Sequence, residues 1–254
     1  MSGTVHALEH WLFNYRRTWY GSVFSSFILP VLFLVSIGYS VGAYVDDTSS
    51  LGGVDYAAFV APGLLASTGL QLIAGEMTWP VFAALRWGNQ YKAMQASPLT
   101  PAQMVNGHLL YGLIRAVIAL VVFTIVMALF GIFSTAWAPL VLLPAALTSA
   151  SVIGLLYSFS ISIETESALS VAHRFGVVPI TLFSGVFFPL SQLPQYLQPI
   201  AWLSPLWHGA ELCRLIVSGT PTSWWWGWHA AYLVALTVLG WWLAHRCLTR
   251  RLTV

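Results

Sequence analysis

The sequence predicts an all-α integral membrane protein with six transmembrane helices. Three observations carry this reading. Charged residues are 7% of the chain, against roughly 25% in an average soluble domain. Apolar residues are 58% of it, with 13 tryptophans, too greasy a balance for a water-covered surface. Several runs of about 20 residues pass with almost no charge, the length of a bilayer-crossing helix. A transmembrane β-barrel would instead show alternating segments of about ten residues.

Residues 1–22 precede the first span. Val5, Leu8, Trp11, Leu12, Tyr15 and Trp19 recur at helical spacing, with Glu9 and Arg16 off the stripe. That pattern predicts an amphipathic interface helix on the cytoplasmic leaflet, anchored by Trp11, Tyr15, Arg16 and Arg17. No cleavable leader is expected, because no short apolar region there ends in small residues. Spans follow at 23–45, 57–77, 104–131, 137–163, 171–189 and 228–246. Gly63, Ser67, Thr68, Gly69, Gln71 and Gly75 thin the second, which predicts close helix contact there.

The basic residues set the orientation. With the N-terminus inside, Arg16, Arg17, Arg86, Lys92, Arg174, Arg246, Arg250 and Arg251 fall on the cytoplasmic side. Only Arg214 falls outside, with Asp46, Asp47 and Asp55, and both termini are cytoplasmic. No Gly- or Ser-rich linker divides the chain, so residues 1–254 read as one domain. Cys213 and Cys247 lie toward opposite faces, and no disulfide is expected.

The longest cytoplasmic loop, 78–101, carries large apolar groups outside the membrane: Phe82, Leu85, Trp87, Tyr91 and Met94. Pro80 suits the first turn of a helix. An apolar helix at that face needs a partner, and Asn89, Gln90 and Lys92 among the aromatics give it the mixed character of a protein interface. Between spans five and six, the stretch FFPLSQLPQYLQPIAWLSPLWH has prolines at 189, 194, 199 and 205. Those forbid one straight helix, and its apolar content keeps it out of open water. Short helical pieces that dip into the outer leaflet and return satisfy both constraints across 190–222. Trp224, Trp225, Trp226 and Trp228 read as interfacial anchors.

Few groups invite chemistry. His6-Ala-Leu-Glu-His10 fits H-x-x-E-H, which would place two histidines on one helix face for zinc. No third ligand stands out, so a membrane metallopeptidase is a remote alternative and no metal site is expected. Lys92 is the sole lysine and Ala93 follows it, so there is no P-loop and this chain is expected not to be an enzyme. Ionisable groups within spans are functional candidates by default; here they are Glu76, Arg115, Glu164 and Arg174. Most sit at membrane edges, where structural pairing is the simpler role. Glu211 and Arg214 are spaced to pair. No chain of buried acids offers a proton or sodium relay.

Three stretches resemble a known family: Phe59-Val-Ala-Pro-Gly-Leu-Leu-Ala66; Tyr91-Lys-Ala-Met-Gln-Ala-Ser-Pro-Leu-Thr100; and Ser184-Gly-Val-Phe-Phe-Pro-Leu-Ser-Gln-Leu-Pro194, continuing to Leu203-Ser-Pro-Leu-Trp-His-Gly-Ala-Glu-Leu-Cys-Arg214. Across nearly its whole length the chain is similar to type-2 ABC (ABC-2) exporter permeases, close to the NodJ-like lipooligosaccharide and drug-efflux branch. Trp207 stands where that family often has threonine. The resemblance implies a cytoplasmic coupling helix that docks on an ATPase through Phe82, Leu85, Arg86, Trp87, Asn89, Tyr91 and Lys92. It implies an extracellular re-entrant helix pair whose gate is Phe187, Phe188, Pro189, Leu193, Tyr196 and Trp202. It further implies a bacterial plasma membrane, an amphiphilic lipid, glycolipid or drug as cargo, and a second permease copy. ATP and Mg would bind in the partner ATPase dimer, with no cofactor on this chain and no nucleic acid as partner. The remaining alternative is a membrane assembly or regulatory subunit that moves no cargo.

Overall fold

The computed structural model describes residues 3–36, 55–133, 135–219 and 225–253. Residues 37–45 of the first predicted span, Asp46, Asp47, residues 220–222 of the re-entrant region and Trp224 lie outside the described residues. The described chain is all helix with no strand. In order the helices are α1 (Gly3–Val35), α2 (Tyr56–Met77), α3 (Trp79–Arg86), α4 (Gln90–Gln95), α5 (Pro101–Leu129) and α6 (Leu142–Ser162). They continue as α7 (Glu166–Ala172), α8 (Val178–Phe183), α9 (Gln198–Trp202), α10 (Pro205–Val217) and α11 (Trp225–Thr253).

Four stretches are long and apolar enough to cross a membrane among the described residues: Tyr56–Arg86, Pro101–Leu129, Ala138–Ser162 and Trp226–Leu252. The predicted fifth span, 171–189, is helical from Glu166 to Phe183, with a π-helical turn at His173–Val177 between α7 and α8. Pro179 accounts for the distortion: it has no N–H for the preceding turn, and its ring crowds the carbonyl there. After Phe183 the chain turns at Gly185, whose φ of 69° suits only glycine without strain.

α2 lies at the centre. Its residues Val60–Ser67 are buried without a break, and it packs against α5, α6 and α10. Of the small residues read from the sequence, Gly63 and Gly69 make close contacts, with Val186 and with Ser149 and Leu120; Thr68, Gln71 and Gly75 instead face an open cleft. α6 and α11 cross with their backbones in contact: a Cβ on Gly154 would lie 2.2 Å from the carbonyl carbon of Gly240. α5 starts with a full capping box, Gln103 N donating to Thr100 Oγ1 at 3.3 Å and Thr100 N to Gln103 Oε1 at 3.0 Å. Pro101 follows as the first helical residue.

The bundle has two ends. The loop end carries α3 and α4, and Pro80 sits in the first turn of α3 as predicted. The hairpin end carries α9 and α10. Met77 lies against Gly112 and takes Ser160 Oγ on its carbonyl at 2.7 Å. The first eleven residues of α5, 101–111, therefore reach about 16 Å past the loop end of α2.

The N-terminal segment departs from expectation. The sequence predicts a separate helix over 1–22 lying across the leaflet; α1 instead continues unbroken from Gly3 to Val35. It runs parallel to the protruding part of α5, with Ala7 against Gly107 and Trp11 against His108. Nothing between residues 5 and 29 breaks a helix strongly, and Trp11 and Tyr15 of the apolar stripe pack on α5. Ala7 and Trp11 are buried; Leu8, Leu12 and Tyr15 pack on the core. Arg16 and Arg17 are exposed.

Candidate functional site

A cleft of about 590 Å³ opens between α2, α5 and the α7–α8 segment. One face of α2 forms its floor: Leu64, Ser67, Thr68, Gln71 and Gly75 recur every three or four residues and reach the cleft together. Gln71 Nε2 donates to Ser67 Oγ at 2.9 Å, and Thr68 Oγ1 to the Leu64 carbonyl at 2.8 Å. These bonds satisfy the polar groups within the helix, leaving a mildly polar stripe that costs little to bury. Phe33, Phe123, Leu182 and Phe187 supply apolar walls opposite it. The cleft thus sets apolar walls against a polar stripe.

At its loop-end margin the cleft holds an ion pair. Arg115 Nη1 lies 2.9 Å from Glu76 Oε1, with Arg115 7% exposed. Arg115 also donates to Tyr111 Oη at 3.2 Å, and its guanidinium sits 4.2 Å from the Tyr15 ring centre. A lone buried charge is costly; a pair with added hydrogen bonds and a cation–π face offsets that cost. Both charges come from the predicted set. Glu164 and Arg174 do not join them. Glu164 is largely exposed, 3.9 Å from both Arg86 and Arg251, and Arg174 is exposed on the π turn.

The hairpin end closes over the far margin. Arg214, on α10, donates from Nε to the Phe59 carbonyl at 3.2 Å and from Nη2 to the Gly185 and Val186 carbonyls at 2.5 and 3.1 Å. Its Nη1 pairs with Glu211 at 2.7 Å, the i, i+3 pair the sequence predicts, and its plane lies 4.0 Å from the Phe59 ring centre. Tyr56 Oη donates to the Phe187 carbonyl at 3.0 Å, and Ser184 and Ser204 share a 2.6 Å hydroxyl bond. Of the predicted gate residues, Phe187 borders the cleft and packs 6.0 Å from Phe33. Phe188 and Pro189 are half-buried, Leu193 is buried, and Tyr196 and Trp202 are exposed.

The loop end divides the seven predicted docking residues. Phe82, Leu85 and Tyr91 face into this chain's own core, Tyr91 completely. Tyr91 Oη and His108 Nδ1 share a 2.6 Å bond; Trp11 stacks 3.8 Å from His108, and Tyr157 meets Tyr91 edge-on at 6.4 Å. Burial holds the Tyr91 phenol well above its ordinary pKa, so it stays neutral. Arg86 is half-buried and donates to the Ile163 carbonyl at 3.0 Å. Trp87, Asn89 and Lys92 remain on the surface. Asn89 holds a left-handed backbone, φ 48°, which turns the chain between α3 and α4. Tyr91 reads as a docking-surface residue because it lies in an apolar loop outside the predicted spans; the structure instead buries it, since α1 and α5 bring Trp11 and His108 over it.

Residues 8–218 match the model of the ABC-2 type transporter family. The chain belongs to that family. Relatives share its length as well as its pattern. Nodulation protein J of Rhizobium leguminosarum bv. viciae is 27% identical over 230 residues, 87% of this chain and 86% of that protein. Nodulation protein J of Rhizobium meliloti (strain 1021) is 26% identical over 250 residues, 95% and 92% of the two chains. The inner membrane transport permease YadH of Escherichia coli (strain K12) is 22% identical over 238 residues, 92% and 91%.

An ABC-2 permease is the membrane component of a transporter, and members of the family normally work with a separate ABC ATPase. In this permease, sequence reasoning found the charges Glu76 and Arg115 but missed Tyr111 and Tyr15 around them. A Tyr–x3–Arg spacing on one helix face was the available signal for Tyr111. It also passed over His108, whose bond to Tyr91 links residues 17 apart in sequence. No signal in the sequence points to the carbonyls that hold Arg214.

Proposed function

We propose that this chain is the transmembrane subunit of an ATP-driven exporter that moves an amphiphile outward from the cytoplasmic side of a bacterial plasma membrane. The observation that carries the reading is the cleft beside α2, with apolar walls, a polar stripe along its floor and a neutralised ion pair at one margin. In this reading the loop end is cytoplasmic and the hairpin end faces outward, as the basic-residue distribution favours. α1 and the α7–α8 segment complete six spans, and residues 1–254 act as one domain. Trp87, Asn89 and Lys92 meet the ATPase, while Phe82, Leu85, Arg86 and Tyr91 pass its motion to α1 and α5. A second permease copy faces the cleft. ATP and Mg bind in the ATPase dimer, and this chain holds no cofactor. Phe187, Phe188, Pro189, Leu193, Tyr196 and Trp202 form the outer gate.

Gly75 provides the test. It lines the cleft, and nothing lies within 4 Å of the position its Cβ would take. Gly75→Phe therefore fills the cleft without disturbing the fold. In proteoliposomes holding the permease and its co-purifying ATPase, ATP-driven efflux of a fluorescent amphiphile falls about tenfold, on the order of 1.4 kcal/mol, at unchanged melting temperature. Unchanged efflux removes the cleft from the pathway. Failure of any ATPase to co-purify from native membranes, in detergent and in nanodiscs, favours the subunit that moves no cargo.

A further inference from the structure

A second cavity, of about 800 Å³, lies at the hairpin end between α9, α10 and α11. It shares no lining residue with the cleft beside α2 among the described residues. We propose that it binds the ammonium headgroup of a membrane phospholipid in the leaflet at the hairpin end.

The lining favours a cation. Four aromatic rings, Trp202, Trp207, Trp228 and Tyr232, line it together with one carboxylate, Glu211, and among the described residues no lysine or arginine does. Aromatic faces carry negative electrostatic potential, and an ammonium between them gains cation–π attraction that an anion cannot. Glu211 is held in place through its Oε1 by Arg214. The two histidines in the wall add no positive charge. His208 Nε2 lies 2.9 Å from the Trp202 carbonyl, which requires an N–H there, and its Nδ1 lies 2.7 Å from His229 Nδ1. With its proton on Nε2, His208 accepts at Nδ1 from the His229 N–H, and both rings are neutral. Burial, reinforced by His229, pushes the His208 pKa down to about 4, which keeps it so.

The surroundings favour a lipid over a free ammonium compound. Trp228 is 60% exposed and heads an exposed apolar stripe on α11 made by Val238, Leu239 and Trp242. These residues lie within about a quarter-turn of one another on a helix of 3.6 residues per turn. A headgroup in the cavity thus has its acyl chains laid along that stripe. Trp202, 49% exposed, forms the opposite rim.

The experiment uses the full chain with its co-purifying subunits in nanodiscs of equal parts phosphatidylethanolamine and phosphatidylglycerol with identical acyl chains. Lipids retained on release are counted by native mass spectrometry. The ethanolamine lipid is expected in about fivefold excess, the scale of one cation–π contact. Trp228→Ala and, separately, Trp202→Ala bring the ratio to about one, while Trp228→Phe keeps most of it. Trp242→Ala, on the same stripe but outside the cavity, leaves it unchanged. Equal retention by the wild type, an unchanged ratio in both alanine variants of the cavity, or equal loss in Trp242→Ala overturns the proposal. The readout is lipid retention, so its outcome is independent of whether the permease exports an amphiphile.

Discussion

Two arginines fasten neighbouring elements to α2, Arg115 from α5 and Arg214 from α10, and they are held in different ways. Arg115 is neutralised by side chains: Glu76, Tyr111 and the ring of Tyr15, from three helices. Arg214 is held mainly by backbone, through carbonyls of Phe59, Gly185 and Val186, with one carboxylate on its own helix. A side-chain set can exchange partners by rotamer changes that cost little. A guanidinium set on three carbonyls moves only if the backbone moves. Arg214 fastens α10 and the Gly185 turn onto α2, whereas the Arg115 pair is free to rearrange.

The largest effect tests the fastening. Arg214→Ala strands the three carbonyls and Glu211, at a cost on the order of 3 kcal/mol or more. Fluorescence size-exclusion chromatography should show loss of monodisperse protein, and Arg214→Lys should recover little, because a point-like ammonium cannot span the fork. A well-behaved Arg214→Ala protein would show that the carbonyl cradle does not fasten α10. Next comes a parallel contrast at the loop end. Tyr91→Ala leaves a cavity under Trp11 and His108 and costs about 3–5 kcal/mol, seen as a lowered melting temperature. Trp87→Ala leaves melting unchanged and reduces ATPase co-purification several-fold, as the truncation of an interface aromatic does.

The Arg115 set, held by side chains, should tolerate substitution better. Glu76→Gln keeps the shape and one acceptor for Arg115 but removes the balancing charge. Expression should survive, while amphiphile-stimulated ATPase activity falls about tenfold, on the order of 1.4 kcal/mol; unaltered activity would make this pair as static as Arg214. The smallest effect is a pH dependence at the hairpin end. His208 is neutral in the fold with its pKa near 4, below the ordinary 6.5. Unfolded chains therefore take up the proton first as pH falls. Its contribution is whole above about 6.5 and shrinks as pH drops toward 4. The melting temperature should decline by a few degrees across that window, with a shallower slope in His208→Gln.

What was legible in the sequence follows the same division. α2, α5, α6 and α11 announce themselves as long apolar runs, and Pro80 and Thr100 mark helix starts by chemistry local to a few residues. The Glu76–Arg115 pair was partly legible because charges inside spans demand partners. Arg214 was legible only as far as Glu211, three residues away. Its other partners are carbonyls, which every residue has, so no residue type marks them. The burial of Tyr91 was hidden for a related reason: its cover arrives from Trp11 and His108 through the packing of α1 on α5. The continuity of α1 past residue 22 was the same kind of omission, since its stripe fits a lipid surface and a neighbouring helix equally well.

The crossing of Gly154 and Gly240 has a practical bearing. Two helices whose main chains touch cannot slide or tilt past one another without steric collision, so α6 and α11 behave as a single post. Distance measurements in this protein need a stationary origin. Spin labels or dyes on the outward faces of α6 and α11 near that crossing would give one, and displacements of the cleft helices could then be recorded as absolute rather than relative movements.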